Sequence, residues 1–411
     1  MGDILFLAHR LPYPPDRGDK IRSHHILKAL AKLGRVHVGC FAESESDLAH
    51  EHHLAGLAAT YCLTQRRKPV PLAGVEALVS GKPVSMTAFH SKQLEEWTHA
   101  TIANEAIETI YVFSGQMGQY VPDQFQGRVI ADLVDVDSAK FEAYARNAVG
   151  PRNWVYGREA RLVAAAEKRL ARRSQHTLFV SEAEAALFEM RVGHCANIAA
   201  SALRNGIDTG YFDPATVKTH PEIAASKGPH FVFTGQMDYQ PNIDACRRVI
   251  DKILPQVRKA YPAAKFHIVG RAPTAALLGD HGKCGVNVWG EVPDVRPFVA
   301  AADVVLAPLT IARGVQNKVL EAMAMARPVL LSPEAATGIA GKNGLHFAVE
   351  ASDDALVMRA LALLNDAAAA NLLGRSAREF VIDNQGWEAM LAPLATLIAK
   401  GQAPLEPRHA A

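Results

Sequence analysis

Short apolar runs alternate with longer helical segments along the whole chain. This alternation restricts the possible folds more than any other feature. In the first half the runs are DILFLAH (3–9), VHVGCFA (36–42), TIYVFS (109–114), RVIADLV (128–134) and HTLFVS (176–181). In the second they are HFVFTG (230–235), KFHIVG (265–270), VNVWG (286–290), DVVLAPL (303–309) and RPVLLS (327–332). Strands buried on both faces read as continuous apolar runs, and strand–helix alternation puts them in parallel sheets. Between the first two runs, Ile26, Leu27, Leu30 and Leu33 share one helical face that ends at Gly34. Ser181 and Glu184 have the S-x-x-E spacing of a capping box. Asp353 can cap a late helix, and a last one begins near Trp387.

At 411 residues the chain is too long for one core. The expectation is an α/β protein of two doubly wound, Rossmann-like domains facing a cleft. They span 1–205 and 206–384. The polar, proline-containing stretch 213–229 reads as the best linker.

A hydrophobic fraction of 49% and a charged fraction of 21% fit a folded globular chain. A net charge of +2 gives no reason to expect a nucleic-acid partner. The five cysteines are scattered and form no C-x-x-C, which predicts reduced thiols and no zinc site. The first apolar run is interrupted by His9 and Arg10 and is no signal peptide. No run approaches the ~20 apolar residues that span a bilayer. The expectation is a cytoplasmic protein whose membrane contact, if any, is peripheral.

In open α/β sheets, ligands sit beyond the carboxyl ends of the strands. Five places there stand out. In RLPYPPDRGDKIRS, Gly18 permits close backbone approach, and Lys20 and Arg22 at a helix start suit an anion; an ordinary loop with solvated charges is the alternative. Gly235 and Gln236 follow the first strand of the second half. Gly270 and Gly290 each close a further strand, and backbone near Glu291 and Val292 is expected to line a pocket for a flat ring. In IARGVQNKVLEAMAMARPVL, Gly314 allows a tight turn, and Arg313 and Lys318 flank a helix start near Gln316. Lys318, Glu321 and Met325 fall on one face, and Leu320, Met323 and Ala324 on the opposite, core-facing side. Cations beside the positive end of a helix are disfavoured unless an anion joins them. A local Lys318–Glu321 pair, worth ~0.2–0.5 kcal/mol, leaves Arg313 and Gly314 unexplained. Finally, Asp132, Asp135 and Asp137 follow a strand: one activates an acceptor hydroxyl, or Asp137 or Ser138 caps a helix. Farther on, Arg158, Arg161, Lys168, Arg169, Arg172 and Arg173 lie on a helix with an apolar stripe including Leu162 and Leu170. It is either a solvated face or one that rests on an anionic membrane.

With these residues located, nearly the whole chain resembles the retaining nucleotide-sugar glycosyltransferases of family 4, of the two-Rossmann-domain B architecture. LRNGIDTGYFDP (203–214), FTGQMDYQPNIDA, HIVGRAP, VNVWGEVPDVRPFVAAADVVLAPL and NKVLEAMAMARPVL follow in that family's order and spacing. HRLPYPPDRGDKIRSHHIL, DLVDVDSAKF and RGVQNKVLEAMAM resemble a subgroup, the sugar transferases of bacterial exopolysaccharide and PEP-CTERM/exosortase systems. The resemblance implies that the second domain holds a nucleotide-diphosphate sugar and the first a polyprenyl-linked glycan acceptor. Glu321 would bind the donor ribose, backbone near Val292 the base, and the Gly18 loop the diphosphate, and a C-terminal helix at about 385–400 would cross back onto the first domain. Lys20, Gly235, Gln236, Gly270, Arg271, Glu291, Gly314 and Asn317 complete the expected donor set, and Asp135 and His24 lie on the acceptor side.

The departures from the family are informative. Its E-x7-E motif places a glutamate where this chain has Arg313, and its paired Arg and Lys after the first strand of the second domain are Gln236 and Asn242 here. Arg313 and Lys318 are therefore expected to neutralise the leaving diphosphate, with Arg313 contacting an acidic donor sugar as the alternative. Asp137 then orients the acceptor, and neither metal nor cofactor is expected. The rival readings are a UDP-sugar 2-epimerase on the same architecture, a non-catalytic partner in polysaccharide assembly, and a dinucleotide oxidoreductase. The absence of G-x-G-x-x-G after the first strand argues against the last.

Overall fold

The computed structural model describes residues 2–193, 198–312 and 315–399. The chain divides into two compact domains, Met1–Asn205 with the tail from Met390, and Gly206–Ala389.

The first domain is built on a seven-stranded parallel sheet. Its strands are β1 (Asp3–Ala8), β2 (Val36–Ala42), β3 (Thr60–Gln65), β4 (Ile107–Phe113), β5 (Arg128–Val134), β6 (His176–Phe179) and β7 (Ala200–Ala202). They lie in the order β3-β2-β1-β4-β5-β6-β7. Ile4 of β1 pairs with Val36 on one side and Thr109 on the other, and every residue of β1 is buried. This double burial is why the strand reads as an unbroken apolar run. The tail returns to this domain: Leu394 and Leu397 are buried, and Arg128 donates to the Leu397 carbonyl at 2.8 Å.

The second domain carries β8 (His230–Thr234), β9 (Lys265–Val269), β10 (Val286–Gly290), β11 (Val304–Ala307), β12 (Val329–Leu331) and β13 (Ala348–Val349). Their order is β10-β9-β8-β11-β12-β13, all parallel. In both sheets the strand order reverses beside the first strand, which opens a crevice at the carboxyl ends. The helix Asn317–Ala324 fills its inner side with Val319, Leu320, Met323 and Ala324.

Several local expectations are corrected. Residues 213–229 belong to the second domain rather than linking the two. Asp213 pairs with Arg378, the His220 N–H donates to the Pro297 carbonyl, and Ile223 is buried. Ser352, not Asp353, caps the helix Asp353–Asn365, leaving the Asp353 carboxylate to Arg248. The Ser181 box is half-made: its side chain accepts from Glu184 N–H, but the Glu184 carboxylate turns to Val136 N–H at 2.7 Å. Met325 is buried rather than sharing an open face with Lys318 and Glu321. β3, β7 and β13 escaped notice because edge strands are short or only half-buried. Among the described residues no single helix is long and apolar enough to cross a membrane.

Candidate functional site

At the carboxyl end of the second sheet lies a hollow of about 520 Å³. Gly235, Gln236, Gly270, Arg271, Glu291, Val292, Asn317, Lys318 and Glu321, all singled out from the sequence, line it. Arg313 and Gly314 lie outside the described residues. Two glycines shape the floor. Gly270 has φ +148°, and a Cβ there would meet the Gly235 carbonyl oxygen at 1.7 Å. Gly235 has φ +155°, and its Cβ would lie 2.8 Å from Asn242 Nδ2 and 3.0 Å from Lys318 Nζ. The conformation and the space both require glycine at these positions.

The charged part of the hollow is built around Lys318. Its Nζ donates to Asn242 Oδ1 at 2.5 Å and lies 4.2 Å from the centre of the Phe233 ring. Asn242 is buried and anchored in turn, its Nδ2 donating to the Gln236 carbonyl at 2.8 Å. Among the described residues no ion pair joins Lys318 to Glu321, which removes the local-pair explanation. Desolvation lowers the Lys318 pKa to about 8 despite the attraction of Glu321. Desolvation likewise raises Glu321 to about 6, against the pull of Lys318. A half-buried ammonium held by neutral groups, one residue into a helix, favours an incoming anion. A short step away, Arg271 Nη2 donates to Gln236 Oε1 at 2.9 Å, at the mouth.

The first-domain residues behave differently. Gly18 begins the helix Gly18–Leu33 and has open space above its Cα. Lys20, expected to meet an anion, is buried and pairs with Asp47 at 2.7 Å. Arg22 is likewise committed inward. It is 1% exposed and holds Asp132, 0% exposed, with both Nε and Nη2. Its Nη1 reaches the Leu203 carbonyl at 2.7 Å and Asn205 Oδ1 at 2.8 Å, and Tyr111 donates to Asp132 at 2.9 Å. Apolar interiors demand this degree of pairing for charge, so both cations serve the fold. His24 packs near Tyr13, with ring centres 5.8 Å apart.

Asp135 and Asp137 line a small cavity with Ser85, Met86, Gln116 and Glu167, and both pair with Lys140, at 2.8 and 3.2 Å. Glu167 went unnoticed in the sequence because it sits mid-helix among arginines. It accepts from the Ser138 hydroxyl at 2.6 Å and the Ser138 N–H at 3.1 Å, and burial pushes its carboxyl up to about 7. Asp137 makes no cap; it is the first residue of the helix Asp137–Asn147.

The basic helix, Pro151–Arg173, turns its apolar stripe inward, with Val163 and Leu170 buried. Arg158 binds the Ala77 carbonyl, Lys168 the Val192 carbonyl, and Arg173 the Pro122 carbonyl and Asp123. Around Val163 and Leu170 the stripe is therefore covered by the helix's own domain, while Trp154 and Val155 at its start stay exposed.

Residues 228–366 match the family described as Glycosyl transferases group 1. No curated protein sequence matches the chain. Among solved structures, the chain is similar to sucrose-phosphate synthase from Thermosynechococcus elongatus, with TM-score 0.57 and 16% identity over 97% of this chain and 98% of that one. It is also similar to Anabaena Alr3699/HepE in complex with UDP and glucose, with TM-score 0.58 and 15% identity over 98% and 100%. A third is WaaG, a glycosyltransferase involved in lipopolysaccharide biosynthesis, with TM-score 0.53 and 16% identity over 97% and 100%. The fold is the two-domain glycosyltransferase B fold. With its group 1 glycosyltransferase domain, the chain is an enzyme of the glycosyltransferase class.

Proposed function

We propose that the protein transfers a sugar from a nucleoside-diphosphate donor to a lipid-linked glycan in exopolysaccharide assembly, with retention of configuration. The observation that carries the donor half is the Lys318 ammonium, held by neutral partners in a hollow that also contains Glu321. The solved relative HepE binds UDP and UDP-glucose, which supports a nucleotide-sugar donor. The acceptor half, like the family 4 and PEP-CTERM subgroup assignment, rests on the motif resemblance.

In this reading Glu321 accepts hydrogen bonds from the donor ribose, and backbone at Val292 meets the base. Lys318 and the helix start take the diphosphate, and Arg313 joins them as the cation in place of the family glutamate. The bond between the anomeric carbon and the phosphate oxygen breaks while the acceptor hydroxyl oxygen bonds to the same face. The departing phosphate oxygen takes the hydroxyl proton, so no enzyme carboxylate need act as base. Asp137 orients the acceptor, and no metal is needed where cations cover the phosphates. Stabilising charge as it develops is commonly the largest catalytic contribution.

Turnover of a nucleotide sugar on membrane extract, measured for Arg313→Ala and Lys318→Ala, tests the assignment. Both should lose activity, and unchanged turnover in both refutes it. Sugar conversion with no acceptor present would instead favour the 2-epimerase.

A further inference from the structure

The first domain carries an apolar surface that neither the donor hollow nor the acidic cavity uses. The helix Val70–Ser80 exposes Leu72, Val75, Leu78 and Val79, the last at 86%. At 100° per residue these four share one side. The turn between the helices Asp137–Asn147 and Pro151–Arg173 exposes Tyr144, Val149, Trp154 and Val155, with Val149 at 90% and Trp154 at 59%. The Tyr144 and Tyr156 rings, 5.8 Å apart, tie the two helices together there.

The two apolar segments are neighbours in one domain. One turn past Trp154, Arg158 donates to the Ala77 carbonyl at 2.6 Å, and the Glu159 carboxylate accepts from Val84 and Ser85 N–H at 2.8 and 2.9 Å. Exposed cations border them: Lys82, Arg146, Arg152 and Arg161. The nearby acids are already neutralised, Glu76 by Lys68 and Glu142 by Arg191.

We infer that this face, the side of Val70–Ser80 with the 144–155 turn, docks the protein on an anionic bilayer. Soluble proteins seldom leave so many large apolar side chains grouped on one surface. An eleven-residue apolar helix is too short to span a membrane but suits the headgroup boundary, where Trp and Tyr also accumulate. The rim of cations, free of competing acids, complements anionic lipid headgroups and is a poor match for a second copy of itself. The inference extends the lipid-linked acceptor reading, but its test uses neither donor nor acceptor. Loss of docking and loss of transfer are thus separable results.

The experiment is flotation of the full chain with vesicles of phosphatidylglycerol and phosphatidylcholine, compared with phosphatidylcholine alone. Wild type should float with the anionic vesicles, and the Trp154 emission should shift to the blue. Leu78→Glu with Val79→Glu should cut flotation at least tenfold, and Trp154→Phe should remove most of the shift. Arg169→Glu with Arg172→Glu, about four turns farther along the basic helix from Trp154, should float as wild type does. All these positions are exposed, and matching thermal melts confirm that the variants fold. The proposal is overturned if wild type stays with the soluble fraction, or if the Leu78 and Val79 variant floats unchanged. It is also overturned if that variant merely splits a dimer seen by sedimentation without altering flotation.

Discussion

Lys318 Nζ lies 2.5 Å from Oδ1 of Asn242 and 4.2 Å from the centre of the neutral Phe233 ring. The sequence has an amide where the related enzymes are expected to carry a cation, and the structure places the ammonium of Lys318 against that same amide. The positive charge is supplied from another helix. Asn242→Asp should therefore act as a probe: a carboxylate beside Lys318 would neutralise it and repel a diphosphate. UDP binding by calorimetry should weaken about tenfold or more, equivalent to about 1.4 kcal/mol. Unchanged affinity would mean that Lys318 does not face the phosphates.

The pKa of Lys318 gives a pH signature. In the folded protein it is about 8, against 10.5 for the free side chain. Between these values the unfolded chain binds more protons, so stability without ligand rises with pH across that window. Binding of an anion requires the charged form, so UDP affinity should fall as pH climbs through 8. Lys318→Met should flatten both dependences. Titrations and urea melts at pH 7, 8 and 9.5 check the two slopes.

Glu167 predicts the opposite slope in the first domain. Its folded pKa of about 7 lies above the ordinary 4.5, so the native state holds the extra proton between them. Stability from this group is complete below pH 4.5 and is lost as pH rises through 7. Glu167→Gln keeps the acceptor for Ser138 without the charge. Its melting temperature should exceed that of wild type at pH 8 and converge with it at pH 5.

Arg22→Ala removes the partner of a fully buried Asp132 and should destabilise the first domain by about 3–5 kcal/mol. Adding Asp132→Asn should recover part of that loss, since the stranded charge is then gone. Chemical denaturation of the single and double variants measures the coupling.

These cases show what the sequence disclosed and what it hid. Ten strands were legible because burial on both faces writes an unbroken apolar run. The donor hollow was legible because glycines and charges after strands have few other reasons to be there. The fate of individual cations was not. Lys20 and Arg22 look as available as Lys318 on paper, but Asp47 and Asp132, 27 and 110 residues away, have claimed them. The apolar stripe of 151–173 announced an amphipathic helix but not which side of it the domain would cover. Glu167 was invisible because its pocket is assembled from segments far apart in the chain.

The central claim, that Lys318 recognises the donor diphosphate, is tested most directly by comparing UDP with uridine. Calorimetric titration of wild type should show UDP binding at least tenfold more tightly, and Lys318→Met should abolish most of that difference while leaving uridine affinity unchanged. A preference for UDP that survives intact in Lys318→Met would contradict the account.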